Sequence, residues 1–159
     1  MNPTVEKLCR RLADAPVDMQ ETLGDCAELL RNWLFFGGKP GQASMIECRT
    51  FGGELPVVGT EEAQALVNGI AGFIRNNPTH RDLGTAVFCL KYAPDHPELK
   101  PLLQDVLRRV TRKDGDVLYQ TMIALQAQGE RMFPGQSSSI DEFEKNCEAA
   151  ERYLKTVNK

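Results

Sequence analysis

The sequence predicts an all-α fold in which about seven helices stack as antiparallel hairpins. Three observations carry this: apolar residues recur at i, i+3, i+4 and i+7 along most of the chain, capping residues precede those runs, and two helix pairs repeat at a spacing of 35 to 36 residues. With 159 residues, 42% of them hydrophobic and 26% charged, one domain spanning 1–159 is expected to bury its own core.

Val5, Leu8, Cys9 and Leu12 behind Pro3 and Thr4 describe a first helix that ends before Pro16. Asp18 with Glu21 three residues on predicts a capping box, after which Met19, Leu23, Cys26, Ala27, Leu30, Trp33 and Leu34 share one face of a second helix that stops at Gly37-Gly38. From Gly37 to Gly59 the periodicity fails among Gly38, Pro40, Gly41, Gly52, Gly53 and Pro56, predicting a long irregular connection with one helical turn or a small hairpin. Connections of this length tend to be functional or mobile, so the segment is a candidate surface, with Glu47 and Arg49 as candidate binding residues.

Thr60 is the expected N-cap of a helix carrying Ala63, Leu66, Val67, Ile70, Ala71 and Ile74, and Thr79 to about Lys91 forms the next, with Leu83, Ala86, Val87 and Leu90 inward. Asp95-His96-Pro97-Glu98 opens a helix with Leu99, Leu102, Leu103, Val106, Leu107 and Val110 inward. Asp114-Gly115-Asp116 turns the chain into another with Leu118, Met122 and Leu125, closing at Gly129. The inward residues of the first pair map onto those of the second, Leu66 onto Leu102 and Leu83 onto Leu118, so one hairpin is repeated. A loop from Phe133 to Ser138 leads to a last, capping helix over 139–157, where Ser139 and Glu142 form a capping box ahead of Phe143, Cys147, Ala150, Leu154 and Val157.

Between residues 60 and 129 the chain resembles the HEAT-like helical-repeat proteins, on the strength of Pro97-Glu98-Leu99-Lys100-Pro101-Leu102-Leu103 and Asp116-Val117-Leu118 through Ala124-Leu125. It departs from that pattern at Leu118, where the family carries Arg. The resemblance implies an α-solenoid that serves as a protein-binding scaffold. Tyr119 and Gln120, on the second helix of the repeat, are candidate contact residues.

Catalytic and cofactor signals are sparse, and no cofactor or metal is expected. The five cysteines are widely spaced without a Cys-x-x-Cys pair, which fits neither a disulfide framework nor a zinc site. His80 and His96 stand at predicted helix starts, away from ligand-spaced carboxylates. Cys48 beside Arg49 is the one candidate thiol nucleophile, which keeps open a small hydrolase or transferase built on the 37–59 segment. Gly37-Gly38-Lys39-Pro40-Gly41 lacks the phosphate-loop order and follows a helix where that motif follows a strand. Arg108, Arg109, Arg112 and Lys113 close a helix, where cations offset the carbonyl end of its dipole.

A net charge of −3 and a pI near 5.5 oppose direct nucleic-acid binding. The start of the chain has no apolar leader, and no run approaches the roughly 18 apolar residues of a membrane span, so a cytoplasmic protein is expected. The most informative feature is acidic. Asp18, Glu21, Asp25 and Glu28 recur at spacings of 3, 4 and 3 with no base between Arg11 and Arg31, so they predict an uncompensated carboxylate stripe. In the last helix, by contrast, Asp141, Glu148 and Glu151 are each followed four residues on by Lys145, Arg152 or Lys155. Such a stripe suits a basic protein partner, or is simply a solvated face. Small, acidic helical proteins of this character are similar to bacterial toxin-immunity proteins, which implies a cognate basic toxin such as a nuclease as partner. A secretion chaperone or adaptor is the neighbouring reading.

Overall fold

The computed structural model describes residues 1–36, 49–50, 53–54, 56, 58–133 and 139–157. Glu47, Cys48 and most of the 37–59 connection lie outside them, as does the segment 134–138. Among the described residues the chain forms seven α-helices: α1 (Pro3–Asp14), α2 (Gln20–Phe36), α3 (Thr60–Asn76), α4 (Leu83–Cys89), α5 (Leu99–Val110), α6 (Gly115–Ala127) and α7 (Phe143–Val157). A 3₁₀ turn, Leu90–Tyr92, prolongs α4. A two-residue antiparallel pairing of Arg49–Thr50 with Gly53–Glu54 makes a small hairpin between α2 and α3. No helix among the described residues is long and apolar enough to cross a membrane. The chain divides into two compact units, Met1–Ala93 and Pro94–Lys159.

In the first unit α1 lies along α3, while α2 packs on α3 and α4. The helix starts follow from local chemistry. Asn2 accepts the Thr4 amide at 2.7 Å and Pro3 occupies the first helical turn, where a missing N–H costs nothing. Ala15, in the left-handed conformation (φ 49°), ends α1 and returns its amide to the Arg11 carbonyl. Val5, Leu8 and Leu12 are buried, each worth about 1.5–3 kcal/mol of apolar transfer. Close approach of α1 to α3 depends on Gly69, where a Cβ would stand 2.9 Å from the Leu12 Cδ1 atom.

Two starts differ from the sequence expectation. Gly59, not Thr60, is the N-cap of α3, and Glu62 reaches back to the Gly59 amide at 3.4 Å. The fourth helix begins at Leu83 and not at Thr79, because residues 77–82 are spent in tight turns, His80 N–H to Asn77 carbonyl and Leu83 N–H to His80 carbonyl, each 3.1 Å.

In the second unit α5 and α6 form a hairpin on which α7 lies. Asp114 caps α6 by accepting the Val117 amide at 3.1 Å, and Gly129 (φ 90°) turns the chain away after it. All ten inward positions aligned across the two hairpins' first helices are buried, Leu66 to Ile74 in α3 and Leu102 to Val110 in α5. Each hairpin belongs to its own unit. The last helix begins at Phe143, and its buried face is Asn146, Cys147, Ala149, Ala150 and Tyr153. Phe143 is exposed, contrary to expectation, though one edge of its ring rests against Gly115, where a Cβ would stand 2.9 Å from Cδ1. The expected acid–base pairing in this helix is also rearranged. Lys145 pairs with Glu142 at 3.0 Å, and Glu151 is taken by Arg112 at 2.8 Å from the turn after α5.

Candidate binding surface

The corner between α1 and α2, residues 14–21, is held from beneath by the turn at 80–85. Asp82, only 4% exposed, accepts the Met19 amide at 2.8 Å through Oδ2 and the Gln20 side-chain amide at 2.7 Å through Oδ1. Gln20 also donates to the Thr85 hydroxyl at 3.1 Å. His80 Nδ1 accepts the Asp82 amide at 3.0 Å, which leaves the ring proton on Nε2 to donate to the Pro16 carbonyl at 2.8 Å. Phe73 meets the imidazole edge-on at 4.9 Å between centroids. Burial pushes the Asp82 carboxyl up, but the bonds from Met19 and Gln20 and the neighbouring charge of Arg81 outweigh it and hold the group below the ordinary carboxylate range. The corner is therefore preorganised by a network whose members lie more than sixty positions away in sequence.

What it presents outward is acidic and apolar. Val17 is 76% exposed, and Asp14, Asp18 and Glu21, close to it along the chain, are exposed as well. Asp18 is partly neutralised by Arg81, 3.5 Å away, and its Oδ1 accepts the Gln20 amide at 3.2 Å. Among the described residues Asp14 and Glu21 have no ion-pair partner.

The uncompensated four-acid stripe expected from the sequence is not what the fold makes. Asp25 is buried, and Glu28 pairs with Arg31 at 3.2 Å. Arg81 reaches Asp18 from the turn ahead of α4, a compensation that spacing along α2 could not reveal. The capping box expected between Asp18 and Glu21 is replaced by Asp82, a carboxylate from a distant turn. Asp14, at the end of α1, completes the corner and carries no sequence pattern of its own beyond its place beside Pro16. Of the candidates in the irregular connection, Glu47 lies outside the described residues, and Arg49 is described only as backbone in the hairpin. Tyr119 and Gln120 sit half-buried on α6 in the second unit, the Tyr119 ring 6.1 Å from that of Phe133.

Among the described residues, both histidines and the buried Cys89 are hydrogen-bonded within the fold. Both His80 nitrogens are hydrogen-bonded, and His96 Nδ1 lies 2.9 Å from Glu98, whose carboxyl the contact holds down. Cys26 and Cys89 are buried, which pushes both thiols up, Cys89 to about 12. Cys89 donates to the carbonyls of Leu23 and Thr85, each at 3.3 Å. Among the described residues no three His, Cys, Asp or Glu side chains stand close enough to hold a metal ion. In the basic cluster at the end of α5, Arg108 pairs with Asp105 and Arg112 with Glu144 and Glu151, so these two cations serve the fold. Comparison with protein-family models, with curated proteins and with solved structures finds no match to this chain.

Proposed function

We propose that this chain is a non-catalytic protein-binding module whose α1–α2 corner receives a basic protein partner, in the manner of bacterial immunity proteins that neutralise a basic toxin such as a nuclease. The single observation that carries the reading is the corner itself: Asp14 and Glu21, exposed and without ion-pair partners among the described residues, beside an exposed Val17 on a backbone fixed by Asp82 and His80. Unspent carboxylates raise the encounter rate with a cation-rich surface, and a rigid apolar residue at their centre gives contact area at little ordering cost. The repeat of inward positions between the α3–α4 and α5–α6 hairpins supports the further reading of a divergent HEAT-like array, a scaffold type that suits protein binding. The partner itself is no nucleic acid and no membrane in this proposal.

A photo-crosslinking residue placed at Val17 tests it in the native host. A covalent adduct with a basic protein, absent when the same group is placed at exposed Ile140, is the expected result. Equal capture from both positions, or none from Val17, would count against the corner.

A further inference from the structure

Within the second unit a cleft of about 390 Å³ opens between the chain that leaves α6 and α7, lined by Glu130, Arg131 and Met132 on one side and Ala149, Arg152 and Tyr153 on the other. Its volume lies in the range of small-molecule sites. Most of its polar groups are already committed. The Tyr153 hydroxyl donates to Glu130 Oε1 at 2.7 Å and accepts from Gln104 Nε2 at 2.8 Å. Lys100 stands 3.5 Å from Glu130 Oε2, so the negative charge in the cleft is offset. Thr156, also on the rim, donates its hydroxyl to the Tyr153 carbonyl at 2.6 Å.

The two arginines are the exception. Arg152 follows Glu148 by four residues on α7, the spacing of a helical ion pair, yet neither it nor Arg131 has an ion pair or hydrogen bond among the described residues. Two guanidinium groups, uncommitted among the described residues, therefore line one cleft, and Lys100 offsets the Glu130 carboxylate there. The exposed lining of the cleft is more apolar than polar, over a floor of Met132 and Ala149 that are themselves buried. Guanidinium forks match planar or tetrahedral oxyanions bidentately, and an apolar wall favours a ligand with a hydrocarbon body.

We propose that this cleft binds a small organic oxyanion, a carboxylate or phosphate monoester with a short apolar body, held by Arg131 and Arg152 with its body against the apolar lining of the cleft. This site is independent of the α1–α2 corner, and its failure leaves that reading untouched.

The test is titration of the ¹⁵N-labelled full chain with acetate, pentanoate, inorganic phosphate and phenyl phosphate, read by amide shifts. Perturbation centred on Met132, Ala149, Tyr153 and Thr156 is expected. Pentanoate should bind more tightly than acetate, or phenyl phosphate more tightly than inorganic phosphate, and whichever of the two wins identifies the headgroup. Arg152→Gln should weaken that ligand by about tenfold or more, Arg152→Lys nearly as much because the fork is lost with the charge kept, and Arg109→Gln hardly at all. Arg131→Gln repeats the test should an Arg152 variant fail to give a folded spectrum. Shifts scattered over the surface, an equal effect of Arg109→Gln, or no binding by about 10 mM ligand would overturn the proposal, and equal affinity with and without the apolar body would overturn its second half.

Discussion

The Asp82 carboxylate accepts the backbone N–H of Met19 at 2.8 Å, joining the start of α2 to a turn 63 positions later. Because the bond favours the ionised carboxylate in a buried place, its loss leaves a buried donor unsatisfied. Asp82→Ala should cost roughly 1–3 kcal/mol in chemical denaturation. The folded-state carboxyl is held low, so its contribution is full above the ordinary carboxylate range and is lost as pH falls through the depressed value. The wild-type midpoint should therefore drop on the acid side below about pH 4, with a shallower slope in Asp82→Asn. Parallel acid limbs for the two proteins would show that the carboxylate is not held as described.

Gly69 and Gly72 lie on one helix and make opposite predictions. A Cβ at Gly72 meets nothing within 4 Å, so Gly72→Ala should stabilise α3 by about 0.5–1 kcal/mol through helix propensity. At Gly69 the same methyl approaches buried Leu12 to 2.9 Å, and overpacking offsets the propensity gain. Gly69→Ala should end at least about 1 kcal/mol less stable than Gly72→Ala, as measured by urea midpoints. Equal midpoints would mean that α1 does not press on α3 there.

This pair also marks how far the sequence could be followed. The inward faces of α1, α3, α5 and α6 were legible because their apolar spacing is periodic and burial obeys it, from Val5 and Leu8 to Leu118 and Leu125. The turn at Asp114-Gly115-Asp116 was legible from its residue types, and there Asp114 caps α6 by accepting the Val117 amide. The features that failed depend on distant groups. Arg81 compensates Asp18, Asp82 displaces the expected capping box, and Arg112 takes Glu151 away from its neighbours on α7. Tyr153 escaped notice because a tyrosine with its hydroxyl on Gln104 and Glu130 can be buried at a position that an apolar pattern assigns to Leu154.

Tyr153 gives a prediction on the alkaline side. Burial pushes its phenol up to about 12, with the Glu130 carboxylate adding to the effect and the Gln104 bond opposing it. The neutral form is thus favoured by folding, so its stabilisation is full below the ordinary tyrosine value and fades as pH rises through the folded one, from about 10 to about 12. Phenolate absorbance should show a late step near 12, and Tyr153→Phe should remove it. A titration with no step above the ordinary tyrosine value, or a late step that survives Tyr153→Phe, would contradict the hydrogen-bonded phenol.

The central claim, that the α1–α2 corner steers a basic partner, is tested most directly by association rates. The partner captured through Val17 would be mixed with wild type and with the Asp14→Lys/Glu21→Lys variant in stopped flow at about 0.05 and 0.5 M salt, where the Debye length falls from roughly 14 to 4 Å. Asp14 ends α1, where a cation suits the helix dipole, and Glu21 stands in the first turn of α2, so the net folding cost should stay under about 1 kcal/mol. At low salt the double reversal should slow association by about tenfold or more, and at high salt the two rates should converge. Equal rates for the two proteins at low salt, with both folded, would contradict the assignment of the corner as the binding surface.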